Sequence, residues 1–392
     1  MRWSVGFTLL LALSLAATMA RAAGPAVYVG IDAEFGLINS TSAQAIEKGA
    51  RIAVDEINRA GGVLGGRPLE LVVTDNKSSP ARAKDNLLDL SARKDMVAVL
   101  CGRFSPVVLD TLDLVHTNRI VILDPWASAD GITDNGRTPN YVFRLSLRDS
   151  LAMPAMLDHA RGRGVKRVAL LLPNTGWGRS NAAAAEQAAA RTGLRIVASE
   201  WYNWGDRSFA MQYAAARAAG AEALVLVAND LEGVSFVREM AALPALQRMP
   251  VISHWGITGG RFFEEAGSAL TEVDFSVVQT FSFLTADPRR VALFMQSWER
   301  LYGAVDPASI PSPVGVGHAY DLVHILALAV NLAGSTETQA VRDALEKVRG
   351  YKGLVRNFDQ PFSPGRHDAL SQEDVFMAEY GRDGRLVPVP RK

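Results

Sequence analysis

The stretch that most constrains this chain runs from Val27 to Asp75. An apolar run, Val27-Tyr28-Val29-Gly30-Ile31, leads through a loop into a helical pattern ending Asp55-Glu56-Ile57-Asn58-Arg59-Ala60. Gly61-Gly62-Val63-Leu64-Gly65-Gly66-Arg67-Pro68 and a second apolar run, Leu69 to Thr74, follow. Short β-branched runs flanking a helix of 3.6-residue period predict a βαβ unit, hence parallel strands in a sheet covered by helices. The glycine pairs fall where the backbone turns tightly, because left-handed conformations cost little only for Gly.

The same alternation continues. Strands are expected over Val97–Leu100 and Ile120–Leu123, with helices near Ala43–Ala60, Ala81–Arg93 and Pro106–Thr117. After a connecting stretch, Val142-Phe143-Arg144-Leu145-Ser146, the rhythm restarts with strands near Val168–Leu172, Ile196–Glu200, Ala223–Val227 and Val251–Ser253. A chain of 392 residues exceeds what one core usually supports, so two lobes are expected. In the last third, Arg289–Tyr302, Val316–Ala333 and Thr338–Val348 read as helices, and Val375–Tyr380 with Leu386–Val389 as a closing hairpin.

The first residues read as an export leader: Arg2, then an apolar core from Val5 to Ala17, then Ala20-Arg21-Ala22 as a cleavage site. The expectation is a signal peptide over 1–22 and a periplasmic mature protein with no direct membrane insertion after cleavage. Formal net charge is zero, with 41 basic and 41 acidic residues, so nothing favours nucleic acid or anionic lipid as a partner. Cys101 is the only cysteine and, within an apolar run, reads as a buried structural thiol. His318, Asp321 and His324 lie on one helical pattern but make a poor metal set. Nucleotide, P-loop, zinc-protease and hydrolase motifs are missing. No cofactor, metal or catalytic residue is expected.

Asp55-Glu56-Ile57-Asn58, the Gly61-Gly62 and Gly65 block, the Leu69–Val73 strand, Asp75 and Pro80 resemble the start of the type I periplasmic solute-binding proteins. Among them the chain looks most like the leucine/isoleucine/valine-binding group that serves ABC importers. The resemblance implies an α/β fold of two doubly wound, Rossmann-like lobes joined by a three-crossing hinge. It places lobe 1 at 23–145 plus 281–350 and lobe 2 at 146–280 plus 351–392. It also implies a small-molecule ligand captured between the lobes, delivery to the importer's permease subunits, and a monomer.

In doubly wound sheets, ligands bind beyond the carboxyl ends of strands, near helix N-termini. Ser105 before Pro106 reads as a helix N-cap, and the resemblance implies that its hydroxyl and the following amides hold a ligand carboxylate. Ala127 and Ser128 fall where relatives use a backbone carbonyl and a hydroxyl on amino and carboxylate groups. Trp126 replaces a small residue there, and either faces the ligand or packs on the other lobe. Trp177-Gly178 matches the family's aromatic-Gly pair, expected at a loop tip closing over the ligand. Trp255 stands at the position of the family's ammonium-binding acid, and Asn229-Asp230 at that of an aromatic residue. A buried ammonium needs an acceptor, so either Asp230 substitutes or the ligand has no amino group. Arg103 pairs with a carboxylate in the latter case, and is otherwise a solvated surface arginine. Two other functions fit the residues: a periplasmic ligand sensor of the same fold signalling to a regulatory or redox partner, and an exported α/β enzyme. Ser105 and Cys101 show no sequence-visible base to support the enzyme.

Overall fold

The computed structural model describes residues 24–38 and 40–390, so the leader expected over 1–22 lies outside the described residues. Among these, two large sheets carry the architecture. The first is parallel throughout, with strand order β2-β1-β3-β4-β5: β1 Val27–Ala33, β2 Leu69–Asp75, β3 Met96–Cys101, β4 Ile122–Asp124 and β5 Val142–Arg144. Every residue of β3 is buried, as a central parallel strand covered on both faces requires. Helices α1 Ser42–Arg59, α2 Pro80–Ser91 and α3 Ser105–Thr117 are the crossovers.

The second sheet combines β6 Arg167–Pro173, β7 Arg195–Tyr202, β8 Ala223–Leu226, β9 Val251–Ser253 and β10 Phe275–Gln279. Their order is β10-β9-β8-β6-β7, and a two-stranded edge completes the sheet beside β10. Its helices are α4 Asp149–Gly162, α5 Gly176–Thr192, α6 Ala210–Ala218, α7 Asp230–Ala241 and the short α8 Phe262–Ala266. The late helices α9 Pro288–Tyr302, α10 Pro313–Ala333 and α11 Thr338–Leu345 return to the first sheet, with α9 and α10 packed on α1. A small hairpin, β11 Tyr351–Lys352 and β12 Asn357–Phe358, precedes β13 Phe376–Tyr380, which pairs antiparallel with β10, and β14 Leu386–Pro388, which pairs antiparallel with β13 at the sheet edge. Two doubly wound α/β lobes are therefore present.

The glycine block after α1 turns as its composition predicts. Gly61, Gly62, Gly65 and Gly66 all have positive φ, and a Cβ on Gly62 would sit 2.2 Å from the Arg67 carbonyl oxygen. Helix α10 is long and apolar enough to cross a bilayer by length and composition, yet most of it is buried in the fold. Its polar residues hold neighbours in place. His318 bonds the Pro125 carbonyl and Thr280, Asp321 accepts from the Leu354 and Val355 amides and the Tyr351 hydroxyl, and His324 meets Glu56.

Two connections differ from expectation. Val142–Arg144 is an edge strand of the first sheet, so the first crossing begins only at Leu145. The last crossing also comes later than 350/351. Phe362 meets Phe143 edge-on and His367 stacks on it, the Arg144 amide donates to the His367 carbonyl, and buried Arg144 Nε donates to Asp368 at 2.6 Å. The chain therefore stays with the first sheet through Asp368. A buried guanidinium needs a carboxylate partner, and this tertiary demand leaves no mark on local periodicity.

Candidate functional site: the cleft between the lobes

The carboxyl ends of β3 and β4 face those of β6, β7, β8 and β9 across the cleft. The narrow pocket there is lined by Arg103, Phe104, Ser105, Trp126, Ser128, Trp177, Trp204, Asn229, Trp255 and Gly256. Six of the eight expected site residues are among them; Asp230 and Ala127 are not. The lining combines one cation, two hydroxyls, four indoles and no acid.

Arg103 is not solvated. It is 8 % exposed, lies over the Phe104 ring, and reaches across the cleft to place Nη2 2.8 Å from Asp230 Oδ1. On its own lobe, Glu34 Oε1 stands 3.8 Å from Arg103 Nε, while Glu34 also accepts from the Ser42 hydroxyl at 2.6 Å and from the Arg103 amide. Nε and Nη1 of Arg103 are buried without an aligned acceptor. Buried guanidinium N–H groups in that state are costly to leave unpaired.

Ser105 is not a helix cap. Phe104 occupies the cap position, Ser105 is the first residue of α3, and its Oγ accepts from the backbone amides of Ser128 at 3.1 Å and Ala129 at 3.2 Å. The loop after β4 carries unpaired amides that compete for the hydroxyl oxygen, and they win over the helix amides. Because Oγ accepts both bonds, its own proton remains for donation. The Ala127 carbonyl is already engaged, accepting from Ser146 Oγ at 3.1 Å and Arg144 Nη1 at 3.4 Å. It has little to offer an amino group.

Trp126 packs on the other lobe while also lining the pocket. Its ring stands 5.6 Å from that of Trp255 on the opposite lobe. Trp255 is itself 1 % exposed and packed by His254 and His318. His318 is held neutral because burial pushes its pKa down to about 4. Trp177 sits in the first turn of α5, not at a loop tip: Thr175 caps that helix by accepting from the Gly178 amide, which draws the tryptophan into regular helix. Its indole N–H donates to Asp149 Oδ1 at 3.3 Å, and its ring meets His254 edge-on. Gly256 admits this ring, since a Cβ there would come within 2.7 Å of Trp177 Cη2.

Below the first-lobe wall, Asp124 accepts from the Trp126 amide, and burial raises its pKa to about 7 against the opposing pull of Arg144. Burial likewise pushes the Cys101 thiol up, so this cysteine is a poor nucleophile. Sequence reasoning missed Phe104, Trp204, Asp149 and His254. Trp204 and His254 follow the ends of β7 and β9, so the strand-end rule that flagged Trp177 could have flagged both. Phe104 and Trp204 pack together across the cleft, with centroids 5.3 Å apart.

Comparison with known proteins bears on this geometry. A family model described as "Periplasmic binding protein" matches residues 34–385. Leu/Ile/Val-binding protein homolog 1 of Brucella abortus is 24 % identical over 387 residues, covering 96 % of this chain and 98 % of its own. A type 1 periplasmic binding protein from Bordetella pertussis superposes with a TM-score of 0.83 at 23 % identity, covering 93 % of this chain and all of that one. The solute-binding protein of an R. palustris ABC transporter, solved in complex with 4-hydroxybenzoate, superposes with a TM-score of 0.78 at 15 % identity and covers 94 % and 96 % of the two chains.

Proposed function

The chain belongs to the periplasmic binding proteins, and on that premise we propose that it is the exported solute-binding component of an ABC importer, acting in the periplasm on a compact aromatic or apolar carboxylate that carries no ammonium. The observation that carries this reading is the lining of the cleft, which pairs one arginine and two hydroxyls with four indoles and contains no acid. An α-amino acid brings a cation as well as an anion, and a desolvated ammonium needs acceptors. Asp230, the acid expected to substitute, is paired with Arg103, and the Ala127 carbonyl is already bonded. The R. palustris protein that holds 4-hydroxybenzoate supports the proposal as an instance of an aromatic acid accommodated by this fold.

In the proposed mechanism, the first lobe presents Arg103, Ser105 and Ser128 to the carboxylate. The second then swings Trp177, Trp204 and Trp255 onto the ring, and Asp230 joins Arg103 as the gap closes. The ligand stabilises the closed form only by contacts absent from the open one, and the permease subunits read that closed shape.

The test is calorimetric titration of the mature protein with benzoate, 4-hydroxybenzoate, leucine and valine. The expected outcome is a dissociation constant of about 1 μM or below for an aromatic acid, no heat with either amino acid, and recovery of the bound compound unchanged. Tight leucine or valine binding would overturn the carboxylate reading in favour of the activity named for the Brucella relative; chemical turnover would revive an enzyme.

A further inference from the structure

The structure assigns a positioning role to Asp149, a fully buried carboxylate that does not line the cleft. It is the first residue of α4, where the chain has just crossed between the lobes, and three elements meet on it. Its backbone N–H donates to the Ser128 carbonyl at 2.9 Å, tying it to the ligand loop of the first lobe. Its Oδ1 accepts the Trp177 indole N–H from the start of α5 at 3.3 Å. The same oxygen lies 3.2 Å from His254 Nε2, at the end of β9. Trp177 and the neighbour of His254, Trp255, form the aromatic wall, so one carboxylate sets the pose of that wall relative to Ser128.

Geometry explains why an acid is used. An indole ring can slide or flip against apolar neighbours with little loss of contact area, whereas its N–H bond to a fixed acceptor is directional. Full burial makes that acceptor costly to lose, because the indole N–H would then be left unpaired. Asp149 thus converts a greasy wall into a slot of defined orientation. This inference rests on the solute-binding reading of the cleft, and it concerns how selective the cleft is.

The experiment compares Asp149→Asn with Asp149→Ala, in the wild-type background and together with Trp177→Phe. It has two readouts. The first needs no ligand: the indole ¹H–¹⁵N resonance of Trp177, identified by its disappearance in Trp177→Phe. It is expected to move upfield in Asp149→Ala and to stay close to its wild-type position in Asp149→Asn, which keeps an oxygen acceptor. The second is affinity for 4-hydroxybenzoate, expected to weaken about tenfold in Asp149→Ala and by a few-fold at most in Asp149→Asn. Asp149→Ala and Trp177→Phe remove the same bond, so their losses should be non-additive in the double variant.

An unmoved Trp177 resonance in Asp149→Ala, or fully additive losses, would overturn the assignment. If wild-type protein binds none of the acids, the solute reading fails while the resonance still decides the role of Asp149. Should Asp149→Ala not fold, Asp149→Asn carries the test, expected to retain the resonance that Trp177→Phe abolishes; its loss there would count against the assignment.

Discussion

The two walls of the cleft are held by different physics. On the first lobe, Ser105 Oγ is fixed by two backbone amides and Arg103 is flanked by Glu34 on its own side and Asp230 across the gap. On the second, Trp177, Trp204 and Trp255 are placed by ring contacts and by one carboxylate behind them. Polar bonds are directional and fail abruptly when an atom moves by an ångström, whereas apolar contact scales with area and degrades gradually. The first wall should therefore tolerate almost no substitution, and the second should grade with side-chain size and shape.

The sharpest way to break that contrast is Arg103. Arg103→Ala leaves Asp230 and Glu34 buried without their counter-charge, and is expected to cost about 4 kcal/mol of stability and to abolish binding of aromatic acids. Arg103→Lys should rescue stability partly and binding very little, since an ammonium cannot present the same planar edge. Urea denaturation and calorimetry read both; a lysine variant with wild-type affinity would show that the first wall needs only charge.

Next in size is Trp255, fully buried between Trp126, His254 and His318. Trp255→Ala is expected to cost about 3 kcal/mol through the cavity it leaves. Trp255→Phe should cost roughly half as much and retain measurable binding, as a wall governed by area predicts. A phenylalanine variant as impaired as the alanine one would mean that the second wall is also directional.

The smallest effect lies behind the walls. His318 has its pKa lowered to about 4 by burial, against an ordinary 6.5. The unfolded chain therefore takes up a proton that the folded protein refuses, and stability is lost as pH falls from 6.5 toward 4. Asp124 acts with the opposite sign: its pKa is raised to about 7, so stability is lost as pH rises from about 4 toward 7. The two slopes oppose each other in the wild type. His318→Asn removes one of them, so between pH 7 and pH 5 the variant should lose about 2 kcal/mol less than wild type on acidification. Parallel urea midpoints for the two proteins across that range would refute the buried, neutral histidine.

Much of the scaffold could be read directly from the residues. The β-branched runs, the period of α1 and the glycine block after it are local signals, and the structure places strands, helix and positive-φ turns where those signals fall. The cleft was legible only as loops. The strand-end rule points to the loops that hold Ser105, Ser128, Trp177 and Trp255, but it says nothing about hydrogen-bond direction, so neither the amides that Ser105 Oγ accepts nor the bonds already made by the Ala127 carbonyl follow from it. Asp149 matches no motif and follows a stretch, Val142–Ser146, that reads as a crossing and not as a strand; its contacts are with Trp177 and His254, which are 28 and 105 positions away.

By itself, then, the sequence determined two wound α/β lobes and the loops at their strand ends, because periodicity and turn chemistry act between near neighbours in the chain. Only the tertiary structure decided that Arg103 is buried, that Asp230 crosses the cleft to meet it, and that residues up to Asp368 stay with the first sheet. Those outcomes depend on which buried charge finds which partner once the lobes pack, a long-range electrostatic choice that leaves no local pattern.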